Sequence, residues 1–253
     1  MSAPRVLVLG GTGEARAIAD AAAALGCDVL LSLAGRTSAP AGAGVPTRSG
    51  GFGGIEGLAA FLRDGSFAAC IDATHPFATR ISANAAAACD SVGVMRLVHV
   101  RPEWTPVDGD RWTYVEDVAQ AARLLPAMAR RVFVAFADGI EPLAELDIAF
   151  VVRRAEPGTV NLPGARVLVQ RGPFARDAER ALFVAERIDA VLAKSSGGEA
   201  ARAKLDAARN LGLPVVLLRR PPPPPGPRVS GVAAAAAWLA GALGLDPDGP
   251  CSV

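Results

Sequence analysis

The sequence predicts an α/β protein in two halves, each a parallel β-sheet with helices packed against it. Three observations carry this prediction. Short apolar runs alternate with alanine-rich segments of helical period over nearly the whole chain. The alternation restarts once, near residue 129, and 253 residues are enough for two cores. Loops rich in glycine and small polar residues follow the apolar runs, at the strand ends where open parallel sheets bind their ligands.

Arg5–Gly10 (RVLVLG) is a short apolar run closed by glycine and reads as a buried parallel strand. Gly13–Leu25 is alanine-rich and reads as a helix stopped by Gly26. Further strands are predicted at Asp28–Ala34, Val45–Arg48, Ala68–Ala73 and Val94–Val100, with helices at Ile55–Arg63 and Ala78–Val92. Arg111–Val115 reads as a crossing strand and Glu116–Met128 as a helix. Strands return at Arg131–Ala135, Ile148–Arg153, Arg166–Gln170, Ala190–Ala193 and Val215–Leu218, with helices near 175–186 and 199–211. This alternation is that of Rossmann-like, doubly wound sheets. The halves are placed at residues 1–128 and 129–253, although no Gly/Ser linker marks the join. Pro221–Pro225 can be neither helix nor central strand. It reads as a stiff polyproline connector to a last packing helix within Val229–Leu245, ahead of a reading as a ligand for an SH3-type partner.

Lysine and arginine number 26 against 25 acidic residues, a net charge of +1. No global field favours nucleic acid or an anionic membrane, so neither is expected as a partner. An acidic ligand must instead be held by local positive groups. Only Lys194 and Lys204 are lysines, so a lysine stands out in this arginine background. Cys27, Cys70, Cys89 and Cys251 are widely spaced, with no metal-ligand pattern among them. Reduced thiols and a cytoplasmic location follow as expectations. No basic-then-apolar leader precedes the first strand, and 229–245 is short for a bilayer span.

The sharpest local feature is Gly10-Gly11-Thr12-Gly13-Glu14, between a strand and a helix. Glycines there let backbone N–H groups approach a pyrophosphate at the helix N-terminus. The third glycine of the usual pattern is replaced by Arg16. After the second strand the chain reads Leu33-Ala34-Gly35-Arg36-Thr37-Ser38, with no carboxylate for a ribose hydroxyl. Arg36 suits a 2′-phosphate, which favours NADPH over NADH; the alternative is a solvated loop charge. No phosphate-loop motif is present, and Tyr114, the only tyrosine, is followed four residues later by Val118 and not lysine. Phosphoryl transfer and short-chain-dehydrogenase chemistry are therefore disfavoured.

Three further loops belong at strand ends: Arg48–Gly54 (RSGGFGG), Asp72–Ala78 (DATHPFA) and Lys194–Gly198 (KSSGG). Together with LGGTGEAR at the start, Arg101-Pro102-Glu103-Trp104, Gly172-Pro173-Phe174, Ala207-Ala208-Arg209 and LPVVLLRRP, they make the chain resemble the precorrin-6A reductase family over nearly its whole length. One departure is Ala135-Phe136-Ala137-Asp138-Gly139, which stands where a small Thr/Gly/Ser-rich loop is expected.

The resemblance implies reduction of one macrocycle double bond, precorrin-6A to precorrin-6B in cobalamin biosynthesis, with hydride from NADPH. It places the active site in the cleft between the two Rossmann-like domains, the first binding NADPH and the second the substrate. The implied partner is a tetrapyrrole, a corrin precursor passed to or from neighbouring pathway enzymes. Gly10, Gly11, Thr12, Gly13 and Glu14 are expected at the pyrophosphate and Arg36 at the 2′-phosphate. Ser49, Gly50 and Phe52 are expected to wall the nicotinamide or the substrate. Asp72, Thr74 and His75 are the polar groups expected near the reacting carbon. His75 suits proton delivery; water or a ring position of the substrate are the alternatives. Arg16, Arg80, Arg101 and Lys194, with Ser195, Ser196 and Gly197, are expected to meet substrate carboxylates. Trp104 either stacks on the macrocycle or packs in the core. The competing readings are a cobalt-precorrin-6A reductase, a non-catalytic NADPH-binding sensor and a binder of another polyanion.

Overall fold

The computed structural model describes residues 2–34 and 44–246. Arg36, Thr37, Ser38 and Cys251 lie outside the described residues. The strands are β1 (Arg5–Leu9), β2 (Asp28–Leu33), β3 (Thr47–Ser49), β4 (Phe67–Asp72), β5 (Met95–His99), β6 (Trp112–Val115), β7 (Arg131–Val134), β8 (Ala149–Arg154), β9 (Arg166–Val169), β10 (Ala190–Lys194), β11 (Val215–Leu218) and β12 (Arg228–Val229). The helices are α1 (Gly13–Ala24), α2 (Gly54–Asp64), α3 (Thr79–Val92), α4 (Val118–Met128), α5 (Arg176–Ala185), α6 (Ala203–Asn210) and α7 (Val232–Leu243). None is long and apolar enough to cross a membrane, among the described residues.

Two six-stranded sheets result, ordered β3-β2-β1-β4-β5-β12 and β9-β8-β7-β10-β11-β6. Every strand pair in both is parallel. Each sheet follows the 3-2-1-4-5-6 order of dinucleotide-binding folds, with a sixth strand drawn from elsewhere in the chain. The strand order reverses between β1 and β4 in one sheet and between β7 and β10 in the other, which puts a ligand crevice at each switch point.

The chain divides into two compact units, one running to Arg101 and resuming at Pro221, the other Pro102–Arg220. The sequence reading put the join at 128/129. The difference has a pairing cause: β6 aligns with β11, Val215 opposite Trp112, while β12 aligns with β5, Arg228 opposite Val98. An edge strand reads the same for either sheet, so alternation alone does not assign β6. The polyproline segment leads into β12 and not directly into the last helix. Arg96 of β5 holds it, donating from Nη2 to Pro225 O at 2.5 Å.

Each core forms because its strands are apolar on both faces. Val6 and Val8 of β1 pack with Ala15, Ile18, Ala19 and Ala22 of α1, and with Leu239 of α7. Leu7 and Leu9 point the opposite way, into Leu58 and Leu62 of α2 and Ala85 of α3, as the two-residue period of a strand requires. In the second unit Phe133, Val151, Val191 and Leu217 meet Phe183 of α5 and Leu205 of α6. Alanines at three- and four-residue spacing let α1 lie close to the sheet, which brings the first glycine turn against β1 and β2.

Candidate active site

The turn between β1 and α1 is built so that only glycine fits its first position. A Cβ on Gly10 would stand 2.8 Å from Ala15 Cβ and 2.8 Å from Leu31 Cδ1. Thr12 caps α1, its Oγ1 accepting from Ala15 N–H at 3.0 Å and donating to Ala73 O at 3.1 Å. The cap ties the β1 turn to the end of β4, across the point where strand order reverses. Gly11 has φ 132°, and Gly13 opens the helix with no atom in the way of a Cβ.

Glu14, in the first turn of α1, pairs with Arg101 Nη2 at 2.8 Å. Burial pushes its carboxyl up, but the residue's own backbone N–H and Arg101 outweigh this and hold it below the usual value. The sequence reading gave Glu14 to cofactor and Arg101 to substrate; the fold joins them. His99, at the end of β5, accepts the Gly231 N–H on Nε2 at 3.2 Å. Burial lowers its pKa, with Glu14 opposing. An unprotonated Nε2 suits that acceptor role. Arg16 is partly buried on α1, in the place of the absent third glycine.

An open groove of about 420 Å³ adjoins this turn. Gly10, the β2 end at Ser32–Ala34, and the loop Gly50–Gly54 line one part; Thr74, Arg80, Ile81 and Asn84 line the other. The loop Gly50–Gly54 is held by two features. Gly50 N–H donates to Leu33 O at 2.9 Å. Arg48, on β3, bonds Ser32 Oγ at 2.8 Å and Gly51 O at 3.1 Å, and lies 4.0 Å over the Phe52 ring. Sequence reasoning missed Arg48, whose signal was its place just before the glycines. Ser49 ends β3 and is exposed. Arg80 is exposed and lines the groove without a hydrogen bond or ion pair of its own among the described residues.

Asp72 ends β4 and is buried. Its Oδ1 accepts from Thr74 N–H at 3.1 Å and Thr74 Oγ1 at 2.7 Å, while its buried Oδ2 has no hydrogen-bond partner. The carboxylate thus shapes the turn and keeps one oxygen in reserve. Thr74 Oγ1 also lies 3.3 Å from Ser82 Oγ. His75 is exposed, and its Nδ1 accepts the Phe77 N–H at 3.2 Å. That bond leaves Nε2 as the nitrogen on which the neutral ring carries its proton.

In the second unit, Lys194 ends β10 beside the loop after β7, its Nζ 4.8 Å from the centre of the Phe136 ring. The unexpected phenylalanine after β7 therefore faces the lysine. Ser195 and Ser196 are buried. Ser195 N–H donates to Leu218 O at 2.9 Å and Ser196 N–H to Lys194 O at 2.7 Å. Gly197 has φ 67°, and a Cβ there would stand 2.3 Å from Pro102 O. Trp104 is 5% exposed, within the core, and its indole N–H donates to Gly198 O at 2.8 Å. Of the two roles open to it in the sequence, packing is the one this geometry describes. No cluster suited to a metal ion occurs among the described residues.

Fold and site define a class: an α/β oxidoreductase with the sheet order and glycine turn of dinucleotide-dependent enzymes. The chain belongs to the precorrin-6x reductase CbiJ/CobK family, whose model matches residues 5–240. It is 46% identical over 220 residues to the precorrin-6A reductase of Rhodobacter capsulatus, covering 85% of this chain and 87% of that one. The precorrin-6A reductase of a Sinorhizobium species is 45% identical over 225 residues, 86% and 85% of the two chains. A solved CobK precorrin-6A reductase superposes with a TM-score of 0.90 at 42% identity, covering 98% of this chain and all of that one. Relatives named cobalt-precorrin-6A reductase match at lower identity, 28% over 238 residues for that of Salmonella typhimurium.

Proposed function

We propose that this chain reduces one carbon–carbon double bond of precorrin-6A, giving precorrin-6B, with hydride from NADPH. The higher identity to precorrin-6A reductases than to their cobalt-substrate relatives supports the metal-free substrate. The first unit binds the cofactor and the second contributes substrate-binding groups. The free, buried Cys27, Cys70 and Cys89 fit a reducing cytoplasm.

The observation that supports the cofactor reading is the groove beside the first glycine turn. Dinucleotides run along the carboxyl ends of such strands with their adenosine over the β2 side. A groove walled by Ser32–Ala34 and Gly50–Gly54 suits that half, and the exposed Arg80 suits a phosphate there. Ser49, Gly50 and Phe52 then belong to the adenosine side of the cofactor. NADPH supplies the hydride; the protein holds it, orients it and places the proton donor. Gly10–Gly13 present backbone N–H groups at the α1 N-terminus to the pyrophosphate. Asp72 and Thr74 fix the turn that carries His75, whose imidazolium form, with the Phe77 N–H bond to Nδ1 given up, delivers the proton from Nε2 and returns to the neutral ring. Arg16 and Lys194 face the substrate carboxylates, the latter on the turn that contains Ser195, Ser196 and Gly197.

Titration of NADPH and NADH against two variants tests this reading. Arg80→Ala is expected to weaken NADPH by about 1.5–3 kcal/mol, the worth of a charge-assisted bond. Arg36→Ala is expected to weaken NADPH more than NADH by about 1–3 kcal/mol. Unchanged NADPH affinity in Arg80→Ala would return that residue to the substrate; equal losses for both nucleotides in Arg36→Ala would remove it from the 2′-phosphate.

A further inference from the structure

Behind the Lys194–Gly198 turn the second unit holds three charged groups that the reaction above does not use. Glu179 of α5 is 2% exposed and Arg153 of β8 is 7% exposed. Two bonds join them, Nη1 to Oε2 at 2.9 Å and Nη2 to Oε1 at 2.7 Å. Lys204 of α6 is the third. Its Nζ donates to Ala201 O at 2.5 Å and lies 5.4 Å from the centre of the Trp104 ring. The same ring holds Gly198 O through its N–H at 2.8 Å. Lys204 therefore grips the chain just past the turn directly, and the turn itself through one indole. A side chain at Gly197 would strike Pro102 O, so the turn runs close against that segment.

The charges do not cancel. Arg153 and Lys204 share the single carboxylate of Glu179, so among these three groups one positive charge is left in excess, on the partly buried Lys204. A partly buried cation without a full counter-charge is costly unless an anion is brought to it. The adjoining turn can bring one: its partly buried Lys194 is proposed to meet a substrate carboxylate.

We propose that Lys204 is a positioning residue for the Lys194–Gly198 turn, its charge acting through Trp104 and Ala201 to keep the turn in the form that takes an anionic substrate. This rests on the reading that the turn binds substrate. Lys204 does not touch the substrate; the turn and the indole lie between. Burial lowers its ammonium to about 8, with Glu179 opposing and Arg153 adding to the drop. The cation over the indole is therefore present below pH 8 and lost above it. A bound carboxylate favours the charged form, so affinity for the substrate falls as pH rises through that value.

The test uses the full chain carrying Trp112→Phe and Trp238→Phe, which leaves Trp104 as the single indole of the three. Its emission is followed from pH 6.5 to 9.5, and KM for precorrin-6A is measured at both ends of the range. A sigmoidal emission change near pH 8, absent in Lys204→Met, is expected. KM is expected to rise on the order of three- to tenfold across the range, the scale of one cation–π contact, with NADPH affinity unchanged. Lys204→Arg, charged throughout, should keep a low KM and lose the pH dependence; it carries the test if Lys204→Met fails to fold. Emission that does not titrate, or a Lys204→Arg profile identical to the parent's, would overturn the proposal. A normal KM in Lys194→Ala would instead remove the substrate reading of the turn while leaving the emission titration intact.

Discussion

Glu179→Ala should destabilise the chain by about 3–5 kcal/mol, the cost of leaving one partner of a buried ion pair alone. Arg153 is left with its guanidinium between the rings of Phe133, at 4.8 Å, and Phe174, at 4.0 Å, and without either of its bonds to Glu179. Lys204 loses the opposing charge of Glu179 at the same moment. Exposed pairs behave differently. Arg63 and Asp64 keep 65% and 74% of their side-chain surface in water, and removing either is expected to cost less than about 1 kcal/mol. Urea melts of Glu179→Ala, of Asp64→Ala and of the double variant Arg153→Met/Glu179→Leu check the argument. The double variant should recover part of the loss, since an apolar pair removes the lone Arg153 charge along with the bond, while Lys204 still lacks the opposing charge of Glu179. A loss below 1 kcal/mol in Glu179→Ala would show that water or another group reaches Arg153.

The second large effect is functional. Lys194→Ala should raise KM for precorrin-6A by roughly ten- to a hundredfold, equivalent to about 1.5–3 kcal/mol for one charge-assisted contact. NADPH affinity should hardly change, because the groove and the glycine turn belong to the other unit. The split between the two ligands matters more than the size of either change. A structural collapse of the turn would also lower the melting temperature, whereas loss of a contact made only with substrate leaves it in place. Raised Kd for NADPH with unaltered KM for the macrocycle would place Lys194 on the cofactor.

Most strands and helices were legible because the sheets are buried on both faces. A strand such as β1, with Val6 and Val8 turned to one layer and Leu7 and Leu9 to the other, writes a continuous apolar run that needs no tertiary context to be read. Which sheet takes an edge strand was not legible. β6 lies in sequence beside the first sheet yet pairs with β11, and β12, with two residues, is too short to leave a pattern. The glycine turn could be read because steric need shows directly as residue choice: Gly10 has no room for a Cβ. Pairings between distant charged residues do not show in that way. Glu14 and Arg101 are separated by 87 positions, and only folding reveals that the helix carboxylate takes up the arginine. Phe136 stands in the sequence only as part of a departure from the small Thr/Gly/Ser-rich loop expected there; in the fold its ring is the face beneath Lys194. Lys204 stood out as one of two lysines, but its connection to the turn runs through Trp104 and could not be inferred from spacing.

The central claim is that one chain carries both a nicotinamide donor and an acidic tetrapyrrole and passes hydride between them. Following nicotinamide absorbance with purified chain, NADPH and precorrin-6A tests it most directly. NADPH should be consumed one for one with precorrin-6A, and not in its absence. Tight NADPH binding with no consumption when precorrin-6A is present would contradict the account and leave a nucleotide-binding protein in its place.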